Sequence, residues 1–413
     1  MLNLRPYQLR SVDAVRAAWS QGAQRVCLVL PTGAGKTIAA HAIATERTIW
    51  LVHRRELVDQ APGRAETIQG LLASGERPDC DLLIADECHH VGSEAAPQWH
   101  ALAQHYPRIL GLTATPERGD GTPLGDLFDS LIVGAHYSEL IAGGWILEPR
   151  VYRPAEELIS GLAAKPEDAW RKHAGDRRGF AFFSRVEQAQ KFSALVDGAS
   201  PIWGDMPEDD RALALARFRA GLVRCLANVQ ILTEGVDVPE AEVAMLASGC
   251  QHAGAYLQRV GRVLRPAAGK AQPVVIDLPG LSWRFGLPTT DREYSLTGRA
   301  IRAKTESLRV CQKCGLTYPS AEGACPGCGF LEAPKPARVR IWNVPLEDAL
   351  AQASTPKEIG QARWRQRATE NPAAEMRRLL GIAAQRGYKP GWASMRFKLA
   401  VGRWPSRREM GQS

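Results

Sequence analysis

Lys36 and Thr37 close the Gly-rich stretch Pro31-Thr32-Gly33-Ala34-Gly35-Lys36-Thr37, between the apolar run Cys27–Leu30 and the helix-forming run Ile38–Ala44. A strand, a tight turn and a helix in that order make a phosphate cradle. Backbone N–H groups of the turn and of the helix N-terminus converge on phosphate oxygens. Lys36 reaches the β- and γ-phosphates, and the Thr37 hydroxyl ligates Mg²⁺. ATP and Mg²⁺ are therefore expected, with Thr32, Gly33 and Gly35 lining the cradle. The strict G-x-x-x-x-G-K-[ST] form is not met, because Leu30 stands where its first Gly would be.

Asp86-Glu87-Cys88-His89-His90 follows a second apolar run. An acidic pair at the carboxyl end of a parallel strand lies where Mg²⁺ and an attacking water meet the γ-phosphate. Asp86 is expected to hold Mg²⁺ and Glu87 to act as general base. His89 and His90 lack a second ligand set at metal-binding spacing, so they are not read as a metal site. Thr113 and Thr115, after the next run, can hydrogen-bond the acidic pair and report the nucleotide state. Arg259, Arg262 and Arg265 recur at spacing three, which predicts one helical face beside Gln258. Guanidinium groups delivered to a γ-phosphate stabilise the charge of phosphoryl transfer. Gln258, Arg262 and Arg265 are thus expected to complete the site from a second lobe, so that hydrolysis depends on lobe closure.

A different chemistry is carried by Cys311-Gln312-Lys313-Cys314 and Cys325-Pro326-Gly327-Cys328. Two C-x-x-C pairs with a short loop predict a structural Zn²⁺ ribbon held by four thiolates. The remaining five cysteines, Cys27, Cys80, Cys88, Cys225 and Cys250, are read as small buried thiols.

The elements that must position these residues are legible as apolar runs. Strands are expected over Arg25–Leu30, Thr48–Val52, Asp81–Ala85 and Arg108–Thr113. A second set covers Gly179–Ser184, Cys225–Asn228, Val243–Ala247 and Pro273–Asp277, with helices over Arg185–Val196 and Pro207–Gly221. Continuous apolar strands alternating with helices predict α/β folding around parallel sheets. The expected architecture is two tandem parallel-sheet domains, 1–140 and 141–281. A polar connector (282–309), a zinc ribbon (310–331) and a basic, mainly helical module (337–413) follow them.

The 413 residues carry a formal charge of +8. From Lys335 onward 16 Lys and Arg stand against 6 Asp and Glu, which leaves the rest of the chain near −2. The basic character sits in the tail and implies a polyanionic partner there. Trp342, Trp364, Tyr388, Trp392, Phe397 and Trp404 are interleaved with those cations. They suit stacking on bases or, alternatively, a small helical domain with a Trp core. No apolar run approaches the ~20 residues of a membrane span, and no signal peptide is evident. A cytoplasmic protein with no membrane partner is expected.

Taken in order, these motifs resemble those of superfamily 2 helicases of the DEAD/DEAH-box-like type, built from two RecA-like lobes, across about residues 2–280. Leu4-Arg5-Pro6-Tyr7-Gln8 resembles the adenine-sensing segment of that family, which implies that Gln8 reads the base and that Arg5 also binds ATP. Pro31–Thr37 resembles motif I, Leu51–Leu57 motif Ia, Thr67-Ile68-Gln69 motif Ib, Asp86–His89 motif II, Thr113–Thr115 motif III, Phe182-Phe183-Ser184 motif IV, Thr233–Asp237 motif V, and Gln258–Arg265 motif VI. The resemblance implies nucleic-acid contacts at Arg54, Arg55, Thr67, Gln69, Ser184 and Thr233, and nucleotide contacts at Gly235 and Asp237. It implies ATP hydrolysis coupled to translocation or unwinding, with DNA rather than RNA as substrate. The alternative is a nucleic-acid-stimulated ATPase that remodels protein–DNA complexes or branched DNA without processive unwinding. Gly387-Tyr388-Lys389-Pro390-Gly391-Trp392-Ala393 resembles tails of phage-type helicases. One departure is the eleven residues between Arg55 and Thr67, where the family carries a longer segment with an extra strand and helix.

Overall fold

The computed structural model describes residues 3–53, 58, 61–91, 95–118, 122–158, 160–231, 238–297, 301–302, 308–320, 322–331, 364–365, 368–386, 388, 391–406 and 409–410. The chain forms two compact units, 1–333 and 334–413.

The first lobe opens with α1 (Pro6–Ser20), β1 (Arg25–Val29), α2 (Lys36–His41), β2 (Thr48–Val52), β3 (Ala65–Thr67) and α3 (Ile68–Ser74). It continues with β4 (Leu82–Ala85), α4 (Ala96–Ala103), β5 (Ile109–Thr113), β6 (Ser130–Val133) and α5 (Tyr137–Ala142). Its sheet is wholly parallel, in the order β3-β2-β4-β5-β1-β6. Strands β2, β4 and β5 are buried at every residue, which explains their unbroken apolar runs: helices cover both faces. The order places β4, β5 and β1 side by side. Everything that follows those three strands therefore emerges along one edge, the strand-order switch where doubly wound sheets bind ligands.

The second lobe repeats the plan with β7 (Arg150–Tyr152), α6 (Pro166–His173), β8 (Gly179–Phe182), α7 (Val186–Leu195), β9 (Ala199–Trp203) and α8 (Glu208–Arg219). It ends with β10 (Cys225–Val229), β11 (Val243–Leu246), α9 (Ala253–Gly261), β12 (Val274–Asp277) and α10 (Leu281–Phe285). Its sheet is also parallel, in the order β7-β12-β11-β8-β10-β9. Two parallel sheets are thus present, as the apolar runs predict, each with six strands where the runs marked four. Strands β3, β6, β7 and β9 carry less continuous apolar sequence and escape that reading.

Residues 282–297, read as a polar connector, are packed: Phe285 and Leu287 sit on one core cluster, and Tyr294 and Leu296 on the core of the first lobe. Two short antiparallel pairs follow, β13 (Arg292–Glu293) with β14 (Ile301–Arg302), and β15 (Leu308–Val310) with β16 (Thr317–Pro319). The second unit contains α11 (Pro372–Arg386) and α12 (Trp392–Val401) around Met376, Leu379, Ala393 and Phe397. Phe397 is fully buried there, whereas Tyr388 and Trp404 are exposed. Trp342 lies outside the described residues. Among the described residues, no helix is long and apolar enough to cross a membrane.

Candidate ATP site and nucleic-acid interface

The phosphate loop turns after β1 because two glycines adopt left-handed backbone, Gly33 (φ 88°) and Gly35 (φ 78°). A side chain is strained at such positions. Gly35 caps α2, so Lys36 is its first residue. Lys36 is nine-tenths buried, and its Nζ lies 3.4 Å from Glu87 Oε1. Glu87 itself holds left-handed backbone at φ 47°, a cost that non-glycine residues bear mostly at functional sites. The strain turns its carboxylate towards the loop, between Lys36 and His89, whose Nδ1 is 3.4 Å from Glu87 Oε2.

Burial, reinforced by the neighbouring Glu87 charge, pushes the Asp86 carboxyl up to about 6, and Lys36 only partly opposes it. Two adjacent carboxylates with one lysine make a donor set short of positive charge. A divalent cation fits it, with Asp86 and Thr37 as the residues that would hold Mg²⁺.

The Thr113 hydroxyl donates to the Thr115 carbonyl at 2.7 Å and accepts from the Thr115 N–H at 3.1 Å. It also meets His89 Nδ1 at 3.0 Å. A continuous path therefore runs Lys36–Glu87–His89–Thr113–Thr115. The sequence reading gives His89 no role of its own within Asp86–His89, and the structure places it between Glu87 and Thr113. Its place two residues after Glu87 was visible, but the hydrogen-bond link to β5 exists only because β4 and β5 are neighbours. Replacing His89 by Ala is expected to change basal ATP turnover by less than about tenfold and to abolish its stimulation by nucleic acid. Steady-state ATPase with and without DNA checks this.

The second lobe meets the loop directly. A Cβ added at Gly261 would stand 2.5 Å from Thr32 Cβ, one at Gly254 2.7 Å from Thr115 Oγ1, and one at Gly33 3.0 Å from Arg265 Cγ. The glycines thus permit a close approach of both lobes. Buried atoms at this seam, Thr32 Oγ1, Thr115 Oγ1 and Gln258 Nε2, have no hydrogen-bond partner among the described residues. Buried polar groups are ordinarily satisfied, so orphans gathered at one seam mark where a polar ligand belongs.

The single basic helical face expected for Arg259, Arg262 and Arg265 is corrected. Helix α9 ends at Gly261, and Val263 and Leu264 turn inward to be fully buried, Leu264 accepting from the Leu147 N–H. Arg259 points into its own lobe, to the Ser248 carbonyl at 3.3 Å and over the Phe182 ring. Only Arg265 among the three is placed by these contacts against the phosphate loop. Lys270 fixes that turn, donating to the carbonyls of Arg265 and Pro239, each at 2.7 Å. Burial pushes this ammonium down to about 8.

Gln8 lies over the loop, its Nε2 donating to the carbonyls of Ala34 (3.1 Å) and Gly35 (3.3 Å) while its Oε1 accepts from Arg5 N–H. The Arg5 guanidinium stacks over Trp145, 4.6 Å from the ring centroid. Both ends of the Gln8 amide are thus held by the protein, and its Oε1, with one hydrogen bond accepted, keeps a second lone pair.

Of the expected nucleic-acid contacts, Arg54, Arg55 and Thr233 lie outside the described residues, as do the expected nucleotide contacts Gly235 and Asp237. Thr67 caps α3 by accepting from the Gly70 N–H at 3.1 Å. Gln69 is exposed beside it. Ser184 is exposed past the end of β8, its hydroxyl 3.2 Å from Gln188 Oε1. Among the described residues between β2 and β3 no helix occurs, in keeping with the short segment noted in the sequence.

Cys311, Cys314, Cys325 and Cys328 bring their sulfurs within 4.8 Å of one another. The pairs Cys311–Cys328 and Cys314–Cys325 are 3.6 Å apart. A tetrahedron with Zn–S bonds of ~2.3 Å has edges of about 3.8 Å, so the cage fits zinc. Left-handed Gly315 and Gly329 close the two knuckles, donating to the carbonyls of Cys311 and Cys325 at 2.8 Å. The other five cysteines are thiols, four of them buried.

Against known families, residues 164–267 match the model of the helicase conserved C-terminal domain. Residues 1–74 and 67–118 match that of the type III restriction enzyme res subunit. The DNA 3'-5' helicase XPB of Mycobacterium tuberculosis is 30% identical over 64% of this chain and 58% of the relative. A 51.5 kDa protein of a Lactococcus phage is 26% identical over 72% of this chain and 76% of its own length. A fragment of an HsdR subunit of a type I restriction enzyme from Vibrio vulnificus shares the fold, with TM-score 0.53 and 22% identity over 69% of this chain and 66% of the other. The chain spans 53–58% of the length of several curated relatives. With two parallel-sheet lobes, matching models over both and the motifs at their facing edges, the chain belongs to the superfamily 2 helicases.

Proposed function

We propose that this protein is an ATP-driven DNA translocase with helicase activity, hydrolysing ATP between its two RecA-like lobes. The observation that carries the reading is the junction of Lys36, Glu87 and His89 at one lobe edge with Arg265 packed over Gly33 from the other. In this reading, backbone N–H groups of 33–37 and Lys36 bind the phosphates. Mg²⁺ bound at Asp86 and Thr37 would neutralise their charge. Glu87 takes the proton from the attacking water, held on the correct side by its strained backbone. Gln258, Arg262 and Arg265 meet the γ-phosphate. Thr113 and Thr115, reached from Glu87 through His89, carry the change to the second lobe through Gly254. Gly235 and Asp237 would complete the nucleotide site. Arg54, Arg55, Thr67, Gln69, Ser184 and Thr233 would track the strand. DNA as substrate is supported by relatives named as DNA helicases.

ATPase rates with single-stranded, duplex and forked DNA and with RNA, beside a strand-displacement assay, test the reading. Strong stimulation by DNA together with displacement supports it. A rate indifferent to every nucleic acid overturns it. Stimulation without displacement would favour the remodelling ATPase.

The four cysteines are proposed to hold one structural Zn²⁺. The ribbon packs on the second lobe, where Leu316 pairs with Tyr152 at the end of the edge strand β7 and Tyr152 joins the ribbon core. Cys314→Ser is expected to reduce bound zinc from about one ion per chain to near zero and to lower Tm by several degrees. Elemental analysis and calorimetry check this, and a chain with no zinc as purified under metal-replete conditions would overturn it.

A further inference from the structure

Residues 285–297 leave the second lobe and run back over the first. At the start, Phe285 stacks on Tyr256 of α9, ring centroids 6.0 Å apart, and so touches the helix that carries Gln258 and leads to Arg262. The buried Arg292 guanidinium then folds the segment on itself, donating to the carbonyls of Thr290 (2.7 Å) and Phe285 (3.0 Å). On the first lobe, Asp291 takes two hydrogen bonds from one residue, Ser138 N–H at 3.0 Å and Ser138 Oγ at 2.6 Å. Tyr294 and Leu296 add to the core beneath β4 and β5. Tyr294 shares a small gap with Val29 and Pro31, at the start of the phosphate loop, and with Ala114, between the two coupling threonines. The Leu296 carbonyl lies so close to Gly125 that a Cβ there would stand 2.4 Å from it.

We propose that residues 285–297 are a strap that holds the two halves of the ATP site in register, anchored by Phe285 on the second lobe and with Asp291 and Tyr294 as positioning residues on the first. No residue of the strap reaches the reacting atoms. Its two anchors are the start of the phosphate loop and the helix before the arginines, the two parts whose separation must change in each ATP cycle. A covalent bridge alone, residues 143–149, would leave the lobes free to hinge. A second packed crossing restricts that hinge and biases the empty protein towards the closed arrangement.

The test uses the full chain with orthogonal labels on unnatural residues at the exposed positions Ala17 and Leu213, one per lobe. Interlobe distance distributions are measured without nucleotide or nucleic acid, in the parent and in Gly125→Val and Asp291→Ala. The parent is expected to give one narrow distribution and both variants a broader, longer one. DNA-stimulated kcat is expected to fall about tenfold in each variant, with the Kd of a fluorescent ATP analogue within threefold of the parent. Asp291 sits in an exposed contact, so its variant remains informative where Gly125→Val fails to fold. Parent-like distances in both variants overturn the strap. The kinetic arm rests on the ATPase reading of the site and the distance arm does not, so a parent without ATPase sinks that reading alone.

Discussion

Glu87→Gln is expected to lower kcat for ATP hydrolysis by about a thousandfold while ATP still binds. General-base catalysis accounts for about 10²–10⁴ in rate, and the amide cannot accept the proton of the attacking water. The substitution keeps the size of the side chain and one oxygen, so the contact with Lys36 at 3.4 Å and the phosphate loop remain in place. Loss of one negative charge also relieves Asp86, whose carboxyl is raised partly by Glu87. Nucleotide affinity is therefore expected to hold or to rise. Single-turnover hydrolysis beside equilibrium binding of a fluorescent ATP analogue separates the two effects. A variant that turns over ATP within tenfold of the parent would remove Glu87 from the chemistry.

Arg265→Ala is expected to lower kcat by a similar factor. An arginine delivered to the γ-phosphate from a second body contributes about 10³–10⁵ in other phosphoryl-transfer enzymes. Here the Arg265 side chain already lies along Gly33, and Lys270 holds its carbonyl. The stem of the side chain is thus packed on the phosphate loop and its backbone is fixed. Arg265→Lys should recover little of the lost rate, because an ammonium cannot present the planar fork of donors. By contrast, Arg259→Ala should act through stability, since Arg259 bonds Ser248 inside its own lobe. Paired measurements of kcat and Tm distinguish them: Arg265→Ala moves kcat and Arg259→Ala moves Tm. The reverse pattern would reassign the arginine.

Local chemistry made much of this legible beforehand. The glycines of 31–37 announce a turn that only they can make, and the unbroken apolar runs announce strands covered on both sides. Each such signal lies within a few consecutive residues. The cysteine cage is similarly local, since C-x-x-C spacing and the following glycine already form a knuckle.

What the sequence by itself determined, then, is the set of reactive groups, the two parallel-sheet lobes and the loops on which those groups ride. The tertiary structure alone decided how they are joined. Strand order makes β4 and β5 neighbours and so lets His89 reach Thr113. The end of α9 at Gly261 turns Arg265 towards the phosphate loop and leaves Arg259 inside its lobe, against a spacing that predicted one face. The connector became a strap because Tyr294 and Leu296 found apolar surface on the first lobe, about 170 residues back along the chain from them at Gly125 and its neighbours. Contacts of that range depend on how whole elements pack, and periodicity within one segment carries no record of the partner it will meet.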